Sequence, residues 1–167
     1  MAFQVFVQKH ESCAYSQIHA RSRGGTIVLG ENKKEYRYEY VPRETFLEIR
    51  IDGGLVQDEN ESKCDFLLLN TTGMNTKEPN LHAIFIELKG THFSTACRQL
   101  LATVAKFSTE LTPAKLHARI VLSKMHNLVA SGLQKIQKEF SNKKCSFDFQ
   151  SRQMVEHTGK DGYPIRK

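Results

Sequence analysis

Alternating apolar and polar residues predict several β-strands in the first half of the chain. Residues 26–29 and 35–41 are two such segments, the second with three tyrosines that alternate with charged residues, and the turn-forming GENK joins them. This arrangement is typical of a hairpin. The opening residues 1–23 are ambiguous, because FQVFV is compatible with a strand and ESCAYSQIHA with a short helix.

Three more strands are predicted in succession after this hairpin. FLEIRIDGG alternates apolar and charged residues and ends in a glycine pair, whereas KCDFLLLN and LHAIFIELKG are short, mainly apolar runs. The connection between the last two, TTGMNTKEPN, is rich in turn-forming residues. It predicts a long hairpin connection between them.

The apolar spacing becomes helical after the third of these strands. Residues 94–107 present one apolar face, and Pro113 lies beyond the predicted end of this helix. That face consists of Cys97, Leu100, Leu101 and Val104. A second helix is predicted in NLVASGLQKIQKEF, with packing by Leu128, Val129, Leu133, Ile136 and Phe140.

Two further strands, HARIVLS and CSFDFQ, complete the prediction, and the polar tail GKDGYPIRK is expected to be frayed. The core order β-β-β-α-β-α indicates an α/β fold with a central mixed sheet flanked by helices. We interpret residues 1–167 as a single domain, with its core at about 44–150 and with residues 1–43 as an appendage.

The composition predicts a soluble globular protein with a basic surface. The 167 residues are 40% hydrophobic and 25% charged, with a formal net charge of +6 and a pI of about 9.2. A basic surface favours polyanionic partners without identifying one. No apolar run is long enough to span a bilayer, and the N-terminus lacks a secretory pattern. Four widely spaced cysteines favour reduced thiols, so we expect a cytoplasmic location.

Charged residues stand at the end of the apolar strand in IELKG. Side chains of a strand alternate between its faces, so Glu87 and Lys89 project from the same face, about 7 Å apart. Asp65 lies near the start of the preceding strand, where an antiparallel partner meets this end. Two converging carboxylates repel each other unless a cation lies between them. Hard oxygen ligands favour Mg²⁺, with Mn²⁺ as a substitute.

Phosphodiester hydrolysis uses this combination of groups. The metal polarises the phosphoryl oxygen and lowers the pKa of the attacking water. A neighbouring lysine orients that water or neutralises the charge that develops on the phosphoryl group.

The ordered set of Asp65, then Glu87-Leu88-Lys89, then a helix resembles the PD-(D/E)xK, or restriction-endonuclease-like, nuclease superfamily over residues 44–123. The resemblance implies a restriction-endonuclease-like core. It also implies Mg²⁺ bound by Asp65, Glu87 and the backbone carbonyl of Leu88, with Lys89 beside the nucleophilic water.

The sequence departs from the superfamily pattern at one point, Cys64, and leaves two others open. Cys64 stands where the superfamily has a proline. The superfamily often has a further acidic residue on a leading helix, and Glu11, Glu44 and Glu48 all remain candidates for it. Gln99 matches the glutamine-bearing helix of several branches. Because Gln99 lies off the apolar face of its helix, a solvated glutamine and a nucleic-acid contact are both compatible with it.

Other polar residues have two interpretations each. Arg50 is a candidate nucleic-acid phosphate ligand or one half of a structural pair with Asp52. His92 closely follows the E-x-K element, although an exposed loop histidine is the simpler interpretation. The hairpin tyrosines either stack on bases or pack against the sheet. A basic run either follows phosphates or forms a solvated helix face. It comprises Lys135, Lys138, Lys143 and Lys144.

These features predict a Mg²⁺-dependent endonuclease that hydrolyses phosphodiester bonds, with DNA as the expected partner and no membrane association. The short chain leaves little room for a separate specificity domain, so a homodimer or a larger assembly is expected. Two alternatives stay open. One is a catalytically inactive nucleic-acid-binding subunit on the same fold, and the other is a protein-interaction module with an incidental basic surface.

Overall fold

Two mixed β-sheets and three helices make up the residues that the computed structural model describes, namely 1–31, 33–77, 79–124, 130–159 and 162–167. The helices are α1 (Ala2–His10), α2 (Phe93–Phe107) and α3 (Ala130–Asn142). The strands are β1 (Ser16–Ala20), β2 (Gly25–Glu31), β3 (Lys34–Tyr40), β4 (Thr45–Arg50), β5 (Phe66–Asn70), β6 (His82–Lys89), β7 (Lys115–Leu122), β8 (Cys145–Ser151), β9 (Gln153–Thr158) and β10 (Pro164–Arg166).

The larger sheet has six strands in the order β1-β4-β5-β6-β7-β8. Its first three pairings are antiparallel, and β6, β7 and β8 are parallel. The predicted core order appears as β4-β5-β6-α2-β7-α3, so the α/β class with a mixed sheet is confirmed. The smaller sheet has the order β10-β9-β3-β2, and its β3–β9 pairing is parallel.

The central strands of the larger sheet, β5, β6 and β7, are buried on both faces, and β6 shows how. Ala83 and Phe85 belong to a core that also contains apolar residues of all three helices. Ile84, Ile86 and Leu88 belong to a second core, shared with β2, β3 and β9 of the smaller sheet. A strand covered on both sides is apolar at nearly every position, which explains the unbroken run in LHAIFIELKG.

The terminal parts of the chain differ from their predictions. FQVFV is part of α1 rather than a strand, because Phe3, Phe6 and Val7 bury one helical face in the core beside α2. The segment ESCAYSQIHA is not a helix, since it enters β1 at Ser16, an edge strand with little buried side-chain area. Apolar periodicity is a weak guide for both a short helix and an edge strand.

The C-terminal part contains two strands that are not predicted. Residues 153–158 form β9, and the tail expected to be frayed forms β10 against it. Strand β9 is defined by pairing with the distant β3, and β10 by pairing with β9, rather than by local apolar patterning. The second predicted helix is present as α3, but residues 127–129 of its prediction lie outside the described residues.

A buried ion pair joins the two sheets. Arg119 of β7 donates from Nε to Glu156 Oε1 of β9 at 2.7 Å, and the Tyr36 hydroxyl donates to Glu156 Oε2 at 2.5 Å. Arg119 and Glu156 are only 4% and 1% exposed. The guanidinium also donates to the carbonyl oxygens of Ala118 and Ser146. Both carboxylate oxygens of Glu156 are therefore paired inside the protein.

We expect Glu156→Ala to lower the free energy of unfolding by about 3–5 kcal/mol, because it leaves the Arg119 guanidinium buried without its counter-charge. Chemical denaturation measures this loss. The matched control is Glu39→Ala, which breaks an exposed pair with Lys167 and should cost about 1 kcal/mol or less. Equal losses in the two variants would contradict this account of the interface.

Candidate functional site

The three residues at the centre of the sequence prediction meet at one end of β5 and β6. Phe66 pairs with Ile86, so the same antiparallel register places Asp65 opposite Glu87. The Leu88 backbone N–H donates to Asp65 Oδ2 at 2.7 Å, and the Asp65 carbonyl accepts from the Ile51 N–H at 2.8 Å. The backbones of both neighbouring strands therefore hold Asp65 in place.

Glu87 is the most deeply buried acid of this site. Its side chain is 1% exposed, and burial raises its pKa to about 8, with the nearby charge of Asp65 adding to the rise. The Lys89 ammonium, 3.6 Å from Glu87 Oε1, opposes this shift only in part. Among the described residues, nothing hydrogen-bonds the buried Glu87 Oε2. A buried carboxylate oxygen without a partner is unfavourable unless a cation or a proton meets it.

The surroundings of Asp65 also disfavour its ionised carboxylate. Burial raises its pKa, while the hydrogen bond from Leu88 lowers it. Negative charges on Glu31 and Asp52 raise it further, and Lys89 counteracts them. The acidic surroundings of Asp65 thus extend beyond its partner Glu87.

The ammonium of Lys89 is held by a side chain of α2. Lys89 Nζ donates to Gln99 Oε1 at 2.8 Å, and Gln99 Nε2 donates to the backbone carbonyl of Lys63 at 2.9 Å. Both polar atoms of Gln99 therefore bond to protein groups, so Gln99 is not the solvated glutamine that one interpretation expects. The contact arises because α2 packs on the face of β6 from which Lys89 projects, which local helix spacing does not reveal.

Apart from Glu87, the acids beside Asp65 are not those that the sequence suggests. A cleft of about 150 Å³ is lined by Gly30, Glu31, Arg50, Asp52, Asp65 and Phe66. Glu31 comes from the end of β2 in the smaller sheet, and the sequence carries no local signal for its arrival. Asp52 follows β4 and shares the alternating pattern that singles out Arg50.

Glu11, Glu44 and Glu48 are engaged elsewhere. Glu44 accepts hydrogen bonds from the Val41 N–H and the Thr158 hydroxyl, and Glu48 lies 2.8 Å from His19 Nε2. Glu11 lines a separate cleft beside α1. None of these three lines the cleft beside Asp65, whereas Glu31 and Asp52 do.

Arg50 is exposed and borders the cleft. It donates from Nε to the backbone carbonyl of Asp52 at 3.1 Å, whereas the Asp52 carboxylate lies 3.4 Å from Lys63 Nζ. The expected Arg50–Asp52 ion pair is thus a side-chain-to-backbone contact. His92 is an exposed residue before α2.

The remaining candidates lie in two different environments. The hairpin tyrosines pack between the sheets, which confirms the packing interpretation. The lysines of the basic run are exposed, and they are Lys135, Lys138, Lys143 and Lys144.

The donor set of the site fits a hard divalent cation. It offers two carboxylates on adjacent strands, one of them with an unpartnered buried oxygen. Within the described ranges, no group of three or more His, Cys, Asp or Glu side chains is arranged to hold a metal ion. Any such site therefore depends on backbone carbonyl and water oxygens for its remaining ligands, as Mg²⁺ sites commonly do.

A comparison with protein-family models, with curated proteins and with solved structures finds no match for this chain. None of the helices in the described part of the chain has the length and apolar character to cross a membrane.

The raised pKa of Glu87 predicts a pH-dependent stability when divalent metal is removed by EDTA. A carboxyl group whose pKa rises from 4.5 to about 8 on folding favours the folded state at low pH. That contribution, a few kcal/mol, is lost as the pH rises from about 4.5 towards 8.

Glu87→Gln should remove this slope when unfolding is measured by denaturant titration across that pH range in EDTA. The matched control is Glu61→Gln, which alters an exposed acid paired with Lys106 and should leave the slope unchanged. An unaltered slope in Glu87→Gln would show that Glu87 ionises normally.

Proposed function

We propose that this protein is a metal-dependent nuclease of the PD-(D/E)xK superfamily, and that it hydrolyses phosphodiester bonds in nucleic acid as an endonuclease, with DNA as the favoured substrate. The observation that carries the proposal is the meeting of Asp65, the unpartnered carboxylate oxygen of Glu87 and the Lys89 ammonium at one strand end. The core order β4-β5-β6-α2-β7 supports the same superfamily.

The proposed metal ligands are the carboxylates of Asp65 and Glu87 and the backbone carbonyl of Leu88. Mg²⁺ or Mn²⁺ held there supplies Lewis acidity towards the phosphoryl oxygen and lowers the pKa of a water molecule. The high pKa of Glu87 supports this assignment, because a bound cation is the usual compensation for a carboxylate desolvated in this way.

Lys89 is suited to act on the attacking water and on the phosphoryl charge. Its side chain is 30% exposed, so the ammonium is open to a substrate while its position is fixed by Gln99 and Glu87. A cation fixed before substrate arrives stabilises developing negative charge without further reorganisation. Gln99 contributes by limiting the rotamers of Lys89.

The metal assignment predicts that Mg²⁺ and Mn²⁺ support cleavage of DNA and that EDTA abolishes it, because the proposed ligands are hard oxygens. Gel assays with plasmid, single-stranded DNA and RNA test the activity and the substrate preference together. Cleavage that persists undiminished in EDTA would exclude this mechanism. Absence of metal-dependent cleavage of all three substrates would favour the non-catalytic alternatives.

Lys89→Ala separates a catalytic lysine from a structural one. We expect single-turnover cleavage to slow by roughly 10²-fold or more, the scale for removal of a positioned acid–base or electrostatic group. Stability in Mg²⁺ should hold or improve, because the metal repels the neighbouring ammonium.

The matched control is Lys106→Ala on α2, which removes an exposed charge paired with Glu61 and should leave the rate unchanged. If Lys89 forms only a salt pair with Glu87 at the strand end, Lys89→Ala should show the opposite pattern. The free energy of unfolding should fall by at most about 1 kcal/mol, and the cleavage rate should stay near normal. Thermal unfolding and cleavage are measured on the same preparations.

A further inference from the structure

Arg152 links the two sheets at the end of the molecule that carries the candidate site. It is the single residue between β8 and β9. Its N–H donates to the carbonyl of Leu122 at 2.6 Å in the larger sheet, and its carbonyl accepts from the N–H of Glu35 at 3.0 Å in the smaller one. The position of the Arg152 backbone is therefore fixed by both sheets.

The strand pairing in each of the two sheets gives a distance between Arg152 and the site. In the larger sheet, Lys89 pairs with Leu122 and Leu122 pairs with Ser151, the neighbour of Arg152. Two strand spacings amount to about 10 Å. In the smaller sheet, Gly30 of the Asp65 cleft pairs with Glu35, and Glu35 pairs with Gln153. This route gives the same spacing of about 10 Å.

The Arg152 side chain is presented to solvent from an unusual backbone conformation. Its φ is 65°, in the left-handed region where a glycine is more favourable than a residue with a Cβ atom. The side chain is exposed, and the structure gives its guanidinium no hydrogen bond or ion pair within the described ranges. Packing and local pairing thus provide no reason for an arginine at this position.

A second exposed cation lies at the same end of the smaller sheet. Lys33, in the turn between β2 and β3, has a φ of 66° and follows closely on Glu31 of the cleft wall. The cleft itself is acidic, so a polyanion requires cations on its flanks to approach it. Arg43 and Lys144 share the positive φ and the exposure, but they precede β4 and β8 at the opposite end of the larger sheet.

We propose that Arg152, assisted by Lys33, binds backbone phosphates of the nucleic-acid strand that the candidate site cleaves. This inference rests on the proposed nuclease function. A planar guanidinium donates two parallel hydrogen bonds to a phosphate group. Ser151, the neighbour of Arg152, lies two strand spacings, about 10 Å, from Lys89, which leaves the scissile phosphate to the metal and Lys89. Such a contact fixes the register of the strand without reading its sequence.

The experiment measures binding of short labelled duplex and single-stranded DNA in EDTA over a series of salt concentrations. Arg152→Gly removes the guanidinium and relaxes the backbone, so thermal stability should hold or rise. Its affinity should fall at least about threefold at moderate salt. The slope of log affinity against log salt should become shallower by about 0.9 for duplex, or about 0.7 for single strands.

Matched variants separate a phosphate contact from a change in net charge. Arg43→Gly removes the same charge at a similar φ from the opposite end of the sheet, and it should leave affinity and slope close to wild type. Arg152→Lys should restore much of the affinity. Arg152→Asn, which tolerates the left-handed conformation, should reproduce the binding loss of Arg152→Gly and guards against a folding effect of glycine.

Three other results would overturn the inference, alone or together with the nuclease proposal. Equal losses in Arg152→Gly and Arg43→Gly would show a general charge effect and overturn the inference. Wild-type protein that cleaves DNA, with unchanged binding in Arg152→Gly and Arg152→Asn, would overturn the role of Arg152 and leave the nuclease proposal intact. Wild-type protein that neither binds nor cleaves nucleic acid would overturn both proposals.

Discussion

Strand β6 is covered by helices on one face and by the smaller sheet on the other, and the electrostatics of the candidate site depend on this double burial. Glu87, two residues before the end of β6, loses nearly all contact with water, which raises its pKa to about 8. The Lys89 ammonium, 3.6 Å away, compensates only in part. Burial of the strand thus creates a site that is favourable only with a proton or a cation.

A chain of contacts connects the Lys89 ammonium to the segment between β4 and β5. Gln99 holds the ammonium and is itself anchored on the carbonyl of Lys63. The Lys63 side chain is buried, and its Nζ contacts the Asp58 carbonyl at 2.6 Å and the Asp52 carboxylate at 3.4 Å. The connection between β4 and β5 therefore influences where the Lys89 ammonium lies, and it also carries Asp52 and Asp65.

Features of the fold and of the site that depend on residues close in the sequence could be predicted. Features that depend on contacts between distant segments could not. The apolar runs of β5 and β6 and the amphipathic helix α2 follow from spacing alone, and so does the convergence of Asp65 with Glu87 and Lys89. Helix α1 and strand β1 are too short for periodicity to decide. The contact between Gln99 and Lys89 depends on the angle at which α2 packs, which residue spacing does not encode.

The smaller sheet is the least predictable part and the one that completes the surroundings of the site. Its β3–β9 pairing joins Glu35 to Gln153, segments more than a hundred residues apart, and the buried Arg119–Glu156 pair orients it on the larger sheet. That orientation brings Glu31 to the Asp65 cleft and holds Arg152 at the same end. A sheet whose strands carry none of the three central residues thereby sets the charges around them, because long-range pairing rather than local sequence decides which polar groups meet.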